Sequence, residues 1–98
     1  MTVTAYLDVH LVPERQTEAY PVVHNTLIAT RAFAGNVSVD VWIDDADPAH
    51  LIYIERWESQ QAVDTYRAWR RGEGASTEMV PFLAGPPVMT FVTLAAGI

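Results

Sequence analysis

The sequence predicts an α+β fold of the ferredoxin-like kind, in which elements in the order β-α-β-β-α-β form an antiparallel sheet with helices on one face. Three observations favour it. Two segments alternate apolar and polar residues as half-buried strands do, two segments have helical spacing, and Gly or Pro residues mark the boundaries. With 98 residues, 50% of them hydrophobic, the chain can form one core, and we expect a single domain over residues 1–98.

The first strand and the first helix are separated by a change of period. From Thr4 to Val12 apolar residues alternate with polar ones, as in a half-buried strand. From Glu14 to Phe33 the apolar residues follow a helical stripe instead. Pro21 falls inside this stripe, where its missing donor and its ring would cost about 3 kcal/mol. We therefore expect a kink there, or a main helix that begins at Pro21.

A hairpin follows the first helix. Gly35 is a helix stop, and the alternation from Asn36 to Ile43 predicts the second strand. The polar residues from Asp44 to Pro48 predict a turn. The segment from Leu51 to Trp57 is rich in β-favouring residues, which predicts a third strand paired with the second.

The second half of the fold begins at Ser59, a predicted N-cap for a helix that runs to about Arg71. Its inner face would carry Ala62, Val63, Tyr66 and Trp69. A short third helix is expected between Ala75 and Leu83, and the last strand from Val88 to Leu94.

Composition excludes several classes of protein. The net charge is −6 and no run of basic residues is present, so nucleic acid is not an expected partner. No apolar stretch approaches the roughly 20 residues needed to cross a bilayer, and no signal peptide is visible, so we expect a cytoplasmic protein without membrane contact. The chain has no cysteine, which excludes disulfides, thiolate nucleophiles and the usual zinc or iron–sulfur sites.

The sheet face away from the helices would present polar and aromatic side chains together: Tyr6, Asp8, His10, Ser38, Asp40 and Trp42. This mixture is too apolar to leave wholly in water and too polar for the core of a monomer. Pairing two such sheets face to face would bury it, so we expect a homodimer. The alternative is an ordinary solvated sheet face with scattered aromatic residues.

Several short segments carry a resemblance to a known family: TRAFAG at residues 30–35, VSVDV at 37–41, Asp47-Pro48, ERWES at 55–59, and Ala62 with Tyr66. From Thr4 to Thr93 the chain resembles the antibiotic biosynthesis monooxygenase family, also called quinol monooxygenase-like, whose members are dimeric α+β barrels. These segments specify the fold better than the reaction, because related barrels include haem-degrading enzymes, isomerases and proteins without known activity.

The resemblance implies an oxygenation that needs no cofactor and no metal. A phenol or quinol would be bound and deprotonated, and its electron-rich anion would pass an electron directly to O2. The protein would supply a dry pocket, a base and hydrogen-bond donors for the developing oxyanion. The haem-degrading branch needs an asparagine, a tryptophan and a histidine where this chain has Leu7, Tyr66 and Ser76, and these departures argue against haem.

His24 is the candidate catalytic base, because it flanks the apolar stripe of the first helix beside Tyr20 and histidine ordinarily titrates near neutral pH. A surface histidine at the helix edge is the alternative. Tyr66 and Trp69 would point at the sheet, where they could stack on a flat aromatic substrate or simply form core. The expected substrate-binding residues lie between helices and sheet: Leu7, Val9, Tyr20, Tyr66 and Trp69.

Other polar residues have structural interpretations. Glu55 and Trp57 share one face of the third strand and are expected to serve the fold or the dimer seam. Asp8 and His10 are expected to make a buried hydrogen bond where two subunits meet. The pair Arg70–Arg71 suits the C-terminal end of the second helix, and it could also guide an anionic substrate.

The leading functional hypothesis is therefore a cofactor-independent monooxygenase that oxidises a quinol or a polyketide-like phenol with O2. A non-catalytic, ligand-binding dimer on the same scaffold is the alternative, since the sequence has no nucleophile motif and no metal signature. An isomerase would need His24 or an acid beside the carbon that loses its proton.

Overall fold

The computed structural model describes residues 2–98 and confirms the predicted order of elements. The helices and strands are β1 (Val3–His10), α1 (Gln16–Ala32), β2 (Asn36–Asp44), β3 (Asp47–Trp57), α2 (Gln60–Arg70) and β4 (Val88–Val92). Two 3-10 helices add to these, at Pro13–Arg15 before α1 and at Thr77–Phe82 before β4. The short third helix predicted from the sequence is the second of these 3-10 helices.

The four strands form one antiparallel sheet in the order β2-β3-β1-β4, which is the ferredoxin-like arrangement. In the register between β1 and β3, Ala5 lies opposite Glu55 and Leu7 lies opposite Tyr53. On the other side of β1, Leu7 lies opposite Met89. Side chains that lie opposite one another in a sheet share a face. This register therefore places these side chains together on the face beneath the helices, and we call those of each strand its inner row.

The hydrophobic core has two parts. Beneath α1, Val9, Leu11 and Leu51 are almost fully buried and pack with Val23 and Leu27. Beneath α2, Trp57 and Val63 are fully buried and pack with Tyr66, Phe33 and Trp69. Both helices thus cover the same face of the sheet, as the apolar stripes predicted.

The first helix rules out one of the two expectations for Pro21. It does not begin there, because α1 is helical from Gln16 onwards and continues through the proline. Pro21 is exposed, so its ring lies on the solvent side while Ala19 and Val23 are buried against the sheet. Proline costs a helix one hydrogen bond and a steric contact with the preceding turn, and burial of the apolar stripe offsets that cost.

Gly35 ends the first helix and Ser59 begins the second, as the sequence predicted. Gly35 has φ +88°, a left-handed conformation that suits glycine, and its carbonyl accepts a hydrogen bond of 2.8 Å from the amide of Glu58. Ser59 caps α2, because its hydroxyl accepts a hydrogen bond of 3.1 Å from the amide of Ala62.

The β2–β3 hairpin is tighter than predicted. Asp47 and Pro48 already belong to β3, and within the turn the amide of Ala46 donates a hydrogen bond of 2.9 Å to Oδ1 of Asp44. A bulge between Asn36 and Ser38 also interrupts β2. Val37 is the additional residue there and is 56% exposed, whereas Val39 is buried beneath the helices.

The sheet face away from the helices is named the outer sheet face here; its large apolar members are Trp42, Ile52, Ile54, Val88 and Val92. Trp42 is 60% exposed and Val88 is 58% exposed. Among residues 2–98, no helix is both long enough and apolar enough to span a membrane.

Candidate active site

A cavity of about 520 Å³ lies between the sheet and the two helices, and we call it the large cavity. Its size falls in the range of sites for small organic ligands. The sheet contributes Leu7, Val9, Tyr53, Glu55 and Met89. The helices and the segment after them contribute Thr26, Leu27, Tyr66, Arg67, Arg70, Arg71, Ser76, Met79, Leu83 and Pro87.

Glu55 is the carboxylate of this cavity. Its side chain is on the inner row of β3 and only 2% of the residue is exposed. Burial raises the pKa of Glu55, while the hydrogen bond from Trp57 and the nearby charges of Arg70 and Arg67 act in the opposite direction. A carboxyl group whose pKa is moved upward towards neutrality is suited to accept and return a proton.

Tyr53 lies two residues before Glu55 on the same row and is 7% exposed. Burial, followed by the nearby charge of Glu55, raises the pKa of Tyr53 well above its usual range. Its hydroxyl therefore keeps its proton at physiological pH. No side-chain hydrogen bond within residues 2–98 uses this hydroxyl, so it can donate to an oxygen atom of a ligand.

Arg70 ties the two helices together at the edge of the large cavity. Its Nε donates to the Tyr66 hydroxyl over 2.8 Å, and its Nη1 donates to the Gly74 carbonyl over 3.0 Å. Its Nη2 donates to the carbonyl of Thr26 and to Oγ1 of Thr30, each over 2.9 Å. The hydroxyls of Tyr66 and Thr30 also share a buried hydrogen bond of 2.7 Å. This guanidinium therefore fixes the cavity wall.

The structure brings three of the predicted binding residues together. Leu7, Val9 and Tyr66 all line the large cavity. Trp69 is not among its lining residues; its ring packs against Phe33, with centroids 5.3 Å apart, and against Gly74. Trp69 therefore packs against the core and not in the cavity, whereas Tyr66 belongs to both.

His24 and Tyr20 lie elsewhere. They line a second, smaller cavity of about 320 Å³, together with Val23, Leu27, Arg31, Val41, Ile43 and Leu51. Leu27 lines both cavities, so α1 separates them. His24 itself is exposed, and the Tyr20 hydroxyl donates to the carbonyl of Pro48 over 2.7 Å. The predicted base and the predicted pocket are therefore on opposite sides of one helix.

Glu55 is a functional candidate that the sequence analysis missed, because it assigned this residue to the fold or the dimer seam. The register places it under the helices and in the large cavity, opposite Ala5. One sequence signal could have found it: an acid alternates with Tyr53 and Trp57 on the inward side of a strand. A charged residue on the buried side of a strand is unusual and indicates a special role.

Comparison with protein families adds the decisive observation: the model of the antibiotic biosynthesis monooxygenase family matches residues 2–74. The chain belongs to this family. A search of proteins with curated functions finds none that matches it.

Solved structures show the same fold. A crystal structure described as an antibiotic biosynthesis monooxygenase superimposes with a TM-score of 0.76 at 20% identity, covering 96% of this chain and 98% of the other. Rv0793 from Mycobacterium tuberculosis gives a TM-score of 0.77 at 19% identity, covering 96% and 95%. PA3566 from Pseudomonas aeruginosa gives 0.78 at 17% identity, covering 97% and 95%. At these identities the similarity extends to the fold alone.

In this member of the antibiotic biosynthesis monooxygenase family, the outer sheet face carries a histidine clamp. Nε2 of His50 lies 2.7 Å from Oδ1 of Asp8, and its Nδ1 lies 2.9 Å from Oδ2 of Asp44. Hydrogen bonds to Asp44 and then Asp8 raise the pKa of His50, and the bond to His50 lowers the pKa of Asp44. Within one chain, the hydrogen bond at this place joins Asp8 to His50, and the His10 ring stacks on the His50 ring with centroids 4.5 Å apart.

One group of side chains within residues 2–98 has the residue types and spacing of a metal site. It comprises Asp8, His10 and His50, whose ligand atoms lie within 4.8 Å of one another. Both nitrogens of His50 already bond carboxylates, and the two imidazole rings lie parallel instead of converging on a point. This geometry fits a protonated imidazolium between two carboxylates better than it fits a metal centre.

Proposed function

We propose that this protein is a cofactor-independent monooxygenase that oxidises an aromatic quinol or phenol with O2 in the large cavity. The observation that carries the proposal is Glu55, a carboxyl group with 2% exposure that lines a cavity of ligand size with both apolar and cationic walls. Family membership supports the same class of reaction.

The proposed reaction begins when the Glu55 carboxylate takes the phenolic proton. The resulting anion passes one electron to O2, and the radical and superoxide then combine to form a C–O bond. Glu55 returns its proton to the outer peroxide oxygen, and the carbon that carries the new oxygen then loses its hydrogen as a proton while the O–O bond breaks. The leaving hydroxide takes that second proton and departs as water. One O2 is consumed, the substrate gains one oxygen and loses two hydrogens, and no external reductant is needed.

The other cavity residues have supporting roles in this scheme. The Tyr53 hydroxyl donates a hydrogen bond to the substrate oxygen as its negative charge develops. Apolar side chains exclude water, which would otherwise weaken these interactions and quench reactive intermediates: Leu7, Val9, Leu27, Met79 and Met89. Arg70 acts as a positioning residue, because it holds Tyr66 in the wall.

His24 remains the alternative base, reached from the small cavity. A comparison of variants separates the two assignments. Oxygen consumption with hydroquinones and anthrone-like phenols should exceed the spontaneous rate in the wild type. We expect this excess to be lost in Glu55→Gln and kept in His24→Ala. The opposite pattern would transfer the role of base to His24, and no uptake by the folded wild-type protein would leave the non-catalytic binding function.

We further propose that the protein is a homodimer formed through the outer sheet face. Exposed Trp42 and Val88 support this, because apolar groups on a sheet face without helices favour burial against a second copy. Sedimentation equilibrium of the wild type and Trp42→Glu tests it. A dimer that becomes monomeric in the variant is expected, and a monomeric wild type would contradict the proposal.

A further inference from the structure

The cationic side chains of the chain are concentrated at the large cavity. The protein has only 6 basic residues against 12 acidic ones, yet Arg67, Arg70 and Arg71 all line this single cavity. Glu55 is the acid that lines it. The positive charge of this site therefore contrasts with the net charge of −6 of the whole protein.

The three arginines are not equivalent. Arg70 is engaged by four hydrogen bonds and serves the wall. Arg67 and Arg71 are exposed, and within residues 2–98 neither side chain makes a hydrogen bond or an ion pair. Their guanidinium groups are free to bind a ligand.

Arg67 and Arg71 also lie four residues apart at the end of α2, where side chains at this spacing are neighbours. Like charges at this spacing repel each other by a few tenths of a kcal/mol. The dipole of α2 favours cations at its C-terminal end, which accounts for positive charge there but not for two arginines on the cavity side. An anion between them would relieve the repulsion and use both guanidinium forks.

We propose that the substrate is an aromatic carboxylate, whose anionic group is held by Arg67 and Arg71 at the rim while its phenolic ring extends inward to Glu55. This inference rests on the proposed function and names its substrate class. The two polar ends of the cavity then set the orientation of the ligand: a cationic rim for the carboxylate and a buried carboxyl group for the phenol. Carboxylates suit arginine because each guanidinium can donate two parallel hydrogen bonds.

A matched pair of ligands tests the proposal without turnover. Titration calorimetry under anaerobic conditions would measure the binding of 6-hydroxy-2-naphthoate and of 2-naphthol, which differ by the carboxylate. We expect the acid to bind at least about tenfold more tightly, as one charge-assisted hydrogen bond would give. We expect this preference to weaken with added salt.

Two variant proteins complete the test. The double variant Arg67→Gln/Arg71→Gln should bind both ligands equally. Arg31→Gln, which removes the arginine of the small cavity, should keep the preference. Equal binding of the two ligands by the wild type, no binding of either ligand, or a preference that survives the double variant would overturn the proposal. Circular dichroism of each variant checks that it is folded. All three residues are exposed, and the bond that is lost is the one from Arg31 to the carbonyl of Val39 over 2.9 Å.

Binding and oxygen uptake separate this inference from the proposed function. A carboxylate preference without oxygen consumption would retain the anion site and reject the oxygenase. Oxygen consumption with no carboxylate preference would retain the oxygenase and reject the anion site.

Discussion

The indole N–H of Trp57 donates a hydrogen bond to Oε1 of Glu55 over 3.0 Å. The two residues are neighbours on the inner row of β3, and both are buried. The bond holds one carboxylate oxygen, while Oε2 has no hydrogen-bond partner within residues 2–98. One oxygen is thus fixed by the fold and the other is available to a ligand.

Glu55→Gln tests the role of this carboxylate. Gln retains an acceptor for Trp57 but cannot accept a proton, so oxygen consumption should fall by about 10²- to 10⁴-fold. Stability at pH 7 should be unchanged or higher, because the variant removes the cost of burying a charge. Steady-state oxygen uptake and thermal unfolding measure the two effects. Glu58→Gln is the control on an exposed glutamate, and equal activity in both variants would contradict the assignment.

The raised pKa of Glu55 predicts the pH dependence of activity. Because the base must be ionised, kcat/KM should rise with pH through a value above the ordinary glutamate value of about 4.3. A raised pKa also means that the folded state binds more protons, so the stability of the wild type relative to Glu55→Gln should fall as pH rises from about 4.3. Rate profiles and unfolding curves at matched pH check both signs. A kcat/KM that does not change as the pH rises from about 4.3 would show that Glu55 is not the base.

Arg70→Lys should destabilise the protein by about 2 kcal/mol, because lysine keeps the charge but cannot reproduce the guanidinium contacts with Tyr66, Thr26, Thr30 and Gly74. Urea unfolding measures the change. Arg67→Lys is the matched control, since Arg67 makes no side-chain hydrogen bond within residues 2–98 and its replacement should change stability by less than about 0.5 kcal/mol. Similar losses in both variants would mean that the network does not stabilise the fold.

His50→Gln tests the clamp on the outer sheet face. A raised pKa of His50 contributes stability that is full below about 6.5, the ordinary histidine value, and is lost as pH rises through the folded value. The lowered pKa of Asp44 contributes above about 3.9 and is lost as pH falls through its folded value. The wild type should therefore exceed the variant in stability most between about pH 4 and 6.5. His24→Gln, on an exposed helix surface, should show no such window in chemical unfolding measured from pH 4 to 9.

Gly35→Ala should cost at least about 2 kcal/mol, because alanine is strained at φ +88° and its Cβ would lie 2.5 Å from Cβ of Ala62. Gly97 has a similar φ of +84° but no atom near the position of a Cβ. Gly97→Ala therefore introduces the backbone strain without the steric overlap. Thermal unfolding should show a smaller loss of stability for this variant than for Gly35→Ala. Equal losses would mean that contact with α2 is unimportant.

The fold followed from local signals, whereas the site depended on register. The alternation in β1, the helical stripes, Gly35 and Ser59 each specified an element that the structure contains. A helical wheel placed His24 at the edge of the apolar stripe, but a wheel cannot say which flank of α1 borders the ligand cavity. That depends on how α1 lies across the sheet, with Leu27 as the shared wall.

Glu55 illustrates the same limit. Its burial follows from pairing opposite Ala5, a contact between residues 50 positions apart that no local pattern encodes. Pro21 shows the converse, since a local rule against proline was overridden by burial of the neighbouring residues Ala19 and Val23.

The walls of the large cavity come from two parts of the chain, one inside and one outside the residues that the family model matches. Apart from Met89 of β4, the sheet and helix wall falls within residues 2–74, which the family model matches, and it includes Glu55 and the Arg70 network. The remaining wall comes from Ser76, Met79, Leu83 and Pro87, outside that match. Replacing these side chains would redesign the substrate range while leaving the proton acceptor in place. A mutant library confined to this segment is therefore the economical route to a catalyst with altered selectivity.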